Sequence, residues 1–381
     1  MRILHVNHVL PVEPLDGGRL RKHQQIDALS THHEVTVIGR STDAAALDAL
    51  VRSHPTWRLR PVAEPADAMR NPVPAAVREL VARERFDVVL VSGVGQWPGE
   101  RALRDMHVVL DVDSLDGTIL GRMRETGESQ VSEFEVAATE ALTRSVCERA
   151  DLVLACSEVD RRQIHALTPN ARVEVLPNGV DPHRFDDLGP PPRDPVVTFT
   201  GFLAYWPNAD ACRYLATAIL PLLREQVPDV QVRLVGRLPP EMVVDLGALA
   251  GVEVRADVPD IRPWLAQSRV MVAPIRAGSG TRLKILEAFA AGRPVVSTSI
   301  GCEGLDVVHE EHLLIADTPA AFASAVARLL ADAALAGRIA AGARHLLLQH
   351  YDRAALADRL RACVTRLADS PRRTPRGGRG Q

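Results

Sequence analysis

Lys284 and Glu287 stand three residues apart, just after Gly278-Ser279-Gly280-Thr281-Arg282. Lys284 is one of only two lysines; the other is Lys22, and arginine fills every remaining strongly cationic position. The pattern that follows the glycines predicts a short helix ending at Gly292 and a strand over residues 294–299. Leu283, Leu286 and Ala290 share its core face, while Lys284, Glu287 and Ala291 repeat along a neighbouring face. A glycine turn, an open helix N-terminus, a cation and a carboxylate together suit a nucleoside diphosphate. The helix end and the ammonium take phosphate oxygens, and the carboxylate takes sugar hydroxyls. A surface Lys–Glu pair on any amphipathic helix has the same spacing; the flanking strand and glycines favour the site.

The elements needed to position such a site can be read along the chain. Short apolar runs alternate with longer helical patterns, which predicts parallel sheets with crossover helices. Strand candidates in the first half are residues 3–6, 35–38, 88–91, 108–112, 152–155 and 173–176. The proline-rich joint over residues 186–195 cannot lie inside a sheet. A second strand-first unit follows, with candidates at 196–200, 231–235, 252–255, 270–273, 295–298 and 313–315. The reading is α/β: two Rossmann-like, doubly wound domains facing a central cleft, over residues 1–187 and 196–352. Residues 353–369 form a terminal helix expected to pack back on the N-terminal domain, and 370–381 a disordered tail.

With 381 residues, 46% hydrophobic and 24% charged, the chain has the composition of a soluble two-domain protein. A net charge of −3 gives no electrostatic case for nucleic acid. Five scattered cysteines read as reduced core residues of a cytoplasmic protein. The N-terminus reads as a buried strand rather than a signal peptide, and no apolar run reaches the roughly 18 residues of a membrane span. Any membrane contact is therefore expected to be peripheral.

Several segments together resemble the retaining glycosyltransferases of family 4, which have the GT-B fold. They are Leu176-Pro177-Asn178-Gly179-Val180-Asp181, Phe199-Thr200-Gly201, Trp206-Pro207-Asn208-Ala209-Asp210-Ala211, Val235-Gly236-Arg237, and residues 281–304 with Cys302-Glu303-Gly304-Leu305. The resemblance covers nearly the whole chain, nearest to a branch with Trp-Pro-Asn at this place. It implies a metal-independent enzyme that moves a sugar from a nucleoside-diphosphate sugar to an acceptor hydroxyl with retention of configuration. No cofactor is implied. The acceptor is a small molecule, a lipid-linked molecule or a glycan, and the alanine and arginine richness suits a GC-rich bacterial genome. Glu287 aligns with the second Glu of the family's Glu-x7-Glu element, which implies hydrogen bonds to the ribose. Backbone over Gly280, Thr281, Arg282 and Leu283 should meet the diphosphate, with Gly201 beside it. Gly236 and Val258-Pro259 should flank the base.

Two departures from the family pattern stand out. Ser279 occupies the place of the first Glu, which usually faces the donor sugar. The Arg…Lys pair usual after the first strand of the second domain is absent from Gly201-Phe202-Leu203-Ala204-Tyr205-Trp206. A diphosphate left without a cation is costly, so Arg282, Lys284 or Arg19 is expected to replace the pair.

In the first half, Leu15-Asp16-Gly17-Gly18-Arg19 precedes a helical pattern. By resemblance Gly17 and Gly18 lie against the donor phosphates, though a tight turn explains the glycines equally well; Arg19 adds a cation there or is a surface residue. Asp113, at the end of Leu110-Asp111-Val112-Asp113, is expected near the transferring sugar, holding a hydroxyl or supporting charge at the anomeric carbon. The Asp-x-Asp spelling is read as a strand end rather than a metal site. The thirteen histidines form no convincing metal set, His5 and His8 reading as packed or surface residues. Ser157 reads as a helix cap. Lys284 and Glu287 join Asp113 as the expected catalytic groups. The alternatives are a non-catalytic sugar-nucleotide-binding partner subunit, to which Ser279 lends support, and a GT-B-like sugar-nucleotide epimerase.

Overall fold

The structure is a computed structural model, and it describes residues 1–13, 17–41, 43–65, 67, 70–126, 130–238, 246–249 and 251–371. The tail beyond 371 lies outside the described residues. The chain divides into two units. One contains Met1–Leu115, Ala137–Leu176 and the stretch from Ala355 onward; the other contains Asp116–Val136 and Pro177–Ala354.

The first unit holds a parallel seven-stranded sheet of β1 (Arg2–Val9), β2 (Glu34–Arg40), β3 (Arg58–Val62), β4 (Val88–Ser92), β5 (His107–Val112), β6 (Leu152–Ala155) and β7 (Val173–Val175). Their order is β3-β2-β1-β4-β5-β6-β7. The order reverses between β1 and β4, the switch point where doubly wound folds bind ligands. β4 and β5 are buried along their whole length, which is why they read as unbroken apolar runs. β3 was not legible as a strand. It is a half-exposed edge strand, Arg-Leu-Arg-Pro-Val, and a proline is tolerated there only because one side of the strand has no partner.

The helix Arg353–Ala368 belongs to the first unit's core. Leu356, Leu360, Cys363, Val364 and Leu367 recur at helical spacing and pack with Ile3, Ile26, Val35, Leu90 and Leu152. Burying such side chains contributes roughly 1.5–3 kcal/mol each. Arg359 donates to the Val175 carbonyl at 2.8 Å, tying the helix to the end of β7.

The second unit holds a parallel six-stranded sheet of β8 (Val196–Phe202), β9 (Gln231–Arg237), β10 (Val252–Ala256), β11 (Val270–Ala273), β12 (Val295–Ser297) and β13 (Leu314–Ile315). Its order, β10-β9-β8-β11-β12-β13, repeats the Rossmann-type reversal between β8 and β11. Apart from β3, each strand was visible in the sequence, with no end displaced by more than three residues and β6 and β11 matched at both ends. Arg293 is fully buried and donates to the carbonyls of Leu265 (2.8 Å) and Gly189 (3.0 Å). It thereby fastens the proline-rich joint to the second unit, and burial lowers its pKa to about 10.

Candidate active site

The site of the second unit is built on the helix Leu283–Ala290. Its C-terminus carries paired closing bonds: Gly292 N–H to the Phe289 carbonyl at 3.1 Å, and Arg293 N–H to the Ala288 carbonyl at 2.9 Å. This closure needs a left-handed residue at position 292, where φ is 64° and glycine enters without strain. At the other end Arg282 caps the helix with no side-chain bond to its first N–H groups. Ile285 N–H donates to the Arg282 carbonyl at 3.0 Å, while Leu283 and Lys284 N–H take no side-chain cap, as an anion site requires. The Thr281 hydroxyl beside them is buried and has no hydrogen-bond partner. Asn178, from Pro177-Asn178-Gly179, donates to the Thr281 carbonyl at 3.2 Å and holds that peptide in place.

Lys284 and Glu287 are both part-buried. The Lys284 ammonium donates to Asn208 Oδ1 at 2.6 Å and lies 3.8 Å from the centroid of the Phe199 ring. A Cβ added to Gly201 would stand 3.0 Å from its Nζ, so the ammonium lies against the C-terminal end of β8. That is where the sequence showed no cation. Asn208 is fixed in turn by donating to the Phe202 carbonyl at 2.7 Å. Burial lowers the Lys284 pKa to about 7. Burial likewise raises Glu287 to about 7, opposed by the positive charges of Arg184 and Lys284. The Glu287 carboxylate makes no hydrogen bond or ion pair among the described residues.

Gly201 and Gly236 face each other in register across β8 and β9. A Cβ on Gly236 would lie 1.8 Å from the Gly201 carbonyl oxygen, so only glycine fits. Val258 follows β10, just beyond Asp257, whose N–H donates to the Gly236 carbonyl of β9 at 2.9 Å. Gly201, Gly236, Val258 and residues 278–284 are thus gathered at the C-terminal ends of β8–β11, around the switch point.

Arg282 does not extend from this site. Its guanidinium turns back on the carbonyls of Ser279 and Gly280 and braces the glycine turn. A second brace was not legible in the sequence. Arg122 donates to the Gly278 carbonyl and forms a bidentate pair with Glu303 at 2.6 and 2.8 Å. Asp210, 1% exposed, accepts from Arg276 at 3.0 Å, fixing the helix Trp206–Tyr214 to the segment before the glycines.

The remaining candidates lie in the first unit. Gly17, Gly18 and Arg19 begin the helix Gly17–Ser30, while Leu15 and Asp16 lie outside the described residues. Asp113 follows β5 and pairs with Lys22 of that helix at 3.2 Å, so the other lysine of the chain also meets a candidate residue. Asp111 is fully buried and accepts a fork of bonds from Arg21 at 2.6–3.2 Å. Burial opposes ionisation of Asp111, but the Arg21 charge outweighs it and holds the carboxyl below its usual range. Both carboxylates of the Asp-x-Asp sequence therefore face cations of one helix. His5 is completely buried against Gln25 at 3.3 Å, and burial lowers its pKa to about 4. Ser157 accepts from Asp160 N–H at 3.0 Å and caps the helix Glu158–Leu167.

Two Rossmann-like units with a phosphate-type turn at the strand ends of the second define a GT-B fold. Sucrose-phosphate synthase from Thermosynechococcus elongatus superposes with a TM-score of 0.78 at 18% identity, over 96% of this chain and 99% of that one. Anabaena HepE, solved in complex with UDP-glucose, gives 0.71 at 16% identity, over 96% and 100%. Residues 23–184 match the family model of Glycosyltransferase Family 4, and residues 194–332 that of Glycosyl transferases group 1. Among curated proteins, D-inositol 3-phosphate glycosyltransferase of Xylanimonas cellulosilytica is 30% identical over 290 residues, 69% of this chain and 63% of that protein. Phosphatidyl-myo-inositol mannosyltransferase of Mycolicibacterium smegmatis is 29% identical over 253 residues, 60% of this chain and 62% of its own length. The chain thus spans less than two thirds of either relative.

Proposed function

We propose that this protein is a glycosyltransferase that takes a sugar from a nucleoside-diphosphate sugar, without a metal ion, and transfers it to an acceptor hydroxyl with retention of anomeric configuration. The observation that carries the reading is the conjunction on the helix Leu283–Ala290 of a helix N-terminus without a side-chain cap, the Lys284 ammonium and the unpartnered Glu287 carboxylate. The diphosphate sits on the helix end and Lys284, and Glu287 accepts the ribose hydroxyls. A bound diphosphate raises the lysine pKa again by opposite charge, so the ammonium form is the one that binds. HepE was solved with UDP-glucose, and the two curated relatives bear the names of glycosyl- and mannosyltransferases, which supports a nucleotide sugar as donor and a polyol or lipid-linked polyol as acceptor. In the first unit, the Asp113 carboxylate beside Lys22 is the group offered to a sugar hydroxyl.

The reaction forms a bond between the acceptor oxygen and the anomeric carbon and breaks the bond from that carbon to the phosphate oxygen. The acceptor proton passes to the departing diphosphate. Lys284 and the helix N-terminus stabilise the charge gained by the leaving group, the task metals perform elsewhere. No helix among the described residues is long and apolar enough on its own to cross a membrane, in keeping with a cytoplasmic enzyme that makes at most peripheral membrane contact.

The test is a mass-resolved assay with a panel of UDP-, GDP- and ADP-sugars and polyol acceptors, the product linkage then being read by NMR. Transfer with the donor's configuration kept is expected. Neither transfer nor donor hydrolysis with any nucleotide sugar would sink the enzymatic reading, and an inverted linkage would sink retention alone. Tight donor binding without turnover would favour the partner-subunit reading, for which Ser279 is the motive.

A further inference from the structure

Away from the residues assigned above, the first unit brings His54 to two side chains of an earlier helix, His23 and Asp27. His23 and Asp27 are one turn apart on the helix Gly17–Ser30, and His54 follows the helix Ala44–Ser53. His23 Nδ1 lies 3.7 Å from one Asp27 carboxylate oxygen, and His54 Nε2 lies 3.9 Å from the other. The three ligand-type atoms are all within 4.8 Å of one another. A tetrahedral ion with bonds of about 2.0–2.2 Å holds its ligand atoms about 3.3–3.6 Å apart, so the set closes by up to about 1.5 Å around it.

Two further observations prepare the imidazoles as ligands. The Ser53 hydroxyl donates to the Ala49 carbonyl at 2.9 Å and lies 2.8 Å from His54 Nδ1. The Leu50 carbonyl, at 3.1 Å, is a second acceptor for the one hydroxyl proton, which favours the tautomer whose Nδ1–H donates to Ser53 Oγ. The His54 lone pair is then on Nε2, the nitrogen that faces Asp27. A lone pair opposed to a carboxylate is satisfied by a proton or by a metal cation between them. Both rings also pack on Trp57, with centroids 4.1 Å from His54 and 5.0 Å from His23. Trp57 is itself buried, and its Nε1–H donates to Ser30 at 3.3 Å. The site opens to solvent: the side chains of His23, Asp27 and His54 are 15%, 31% and 21% exposed.

We infer that His23, Asp27 and His54 form a binding site for a divalent transition-metal ion of the zinc class. Two imidazoles and one carboxylate favour such an ion over magnesium or calcium, and a water completes the coordination. The ion ties the helix Gly17–Ser30 to the segment that ends in Trp57. The same helix carries Arg21 and Lys22, which hold Asp111 and Asp113, so the role is structural positioning. No metal chemistry in sugar transfer is implied.

The experiment titrates tag-free, metal-stripped full-length protein with Co²⁺ and then Zn²⁺, following the visible absorption of cobalt and the bound-metal stoichiometry. One equivalent of cobalt with bands of tetrahedral type, displaced by zinc, is expected. His54→Ala and the isosteric Asp27→Asn should each abolish the bands with the circular dichroism unchanged. Ser53→Ala should weaken binding about 10–100-fold through the orienting bond alone. His32→Ala, on a neighbouring turn, should bind as the parent does. Absence of the cobalt bands in the parent overturns the inference, as do bands that persist in Asp27→Asn and His54→Ala. Should His54→Ala fail to fold, Asp27→Asn decides alone.

Discussion

The Lys284 ammonium is held 2.6 Å from Asn208 Oδ1 at the end of β8, although 76 residues separate the two in sequence. The helix after the glycine turn thereby delivers a cation to the place where the segment after Gly201 has none. Asn208 keeps that cation in position without neutralising it, since an amide oxygen orients an ammonium but carries no charge. Replacing Lys284 by Ala should lower donor affinity about 10–100-fold, the scale of one or two charge-assisted hydrogen bonds. Asn208→Ala should cost less, because the ammonium stays but loses its orientation. Calorimetric titration of the variants with the donor identified by the panel checks both. Unchanged affinity in Lys284→Ala would remove the lysine from the diphosphate site.

The pKa values of about 7 at Lys284 and Glu287 predict a donor affinity that peaks near neutrality. Above pH 7 the free protein loses the ammonium and binding must take a proton up; below pH 7 it gains a proton on Glu287 that ribose binding must displace. Titration in buffers of different ionisation enthalpy should show proton uptake on the alkaline side and release on the acid side. A flat profile between pH 6 and 8 would contradict both assignments.

Ligand-free stability should respond in the opposite sense to binding. The raised pKa of Glu287 supplies stability that is present below pH 4.5 and lost as pH rises through 7. Glu287→Gln should therefore stabilise the unliganded protein at pH 8, by about 1–2 kcal/mol once partial exposure is allowed for, and have little effect at pH 5. Thermal denaturation at the two pH values reads this directly. The same variant should bind donor more weakly.

Gly236→Ala tests the strand contact. A methyl group 1.8 Å from the Gly201 carbonyl oxygen, on a backbone with φ of 149°, forces β8 and β9 apart. The expected loss is about 2–4 kcal/mol, or roughly 5–15 °C in the melting of the second unit. A melting point within a degree of the parent would show that the close approach is not real.

Arg122→Ala removes the brace between Gly278 and Glu303. Leaving the Glu303 carboxylate without its partner should loosen the glycine turn, raise the KM for donor and leave secondary structure intact. A fall of about tenfold in kcat/KM corresponds to roughly 1.4 kcal/mol, within the range of one lost charged contact. Steady-state kinetics with saturating acceptor measures it.

Much of the fold was legible because buried parallel strands announce themselves locally. Val88–Ser92 and Leu152–Ala155 are apolar runs that need no partner to be recognised. Arg58–Val62 could not be seen because an edge strand with two arginines and a proline has no apolar period. In the candidate site, the Lys284–Glu287 spacing and the stop at Gly292 could be read from helical geometry. Arg282 illustrates the limit: its charge suggested an anion partner, but its guanidinium reaches the carbonyls of its own turn.

By itself, then, the sequence determined the alternation of strands and helices, the glycine turn, and the placing of Lys284 and Glu287 on one side of a short helix. Each of these follows from neighbours within a few residues, where backbone sterics and side-chain period decide. Only the tertiary structure decided that Lys284 meets Asn208, that Arg122 and Glu303 brace the glycines, and that His23, Asp27 and His54 converge. Those relationships join segments tens to hundreds of residues apart. Sheet order and helix packing bring them together, and no local pattern records such a distance.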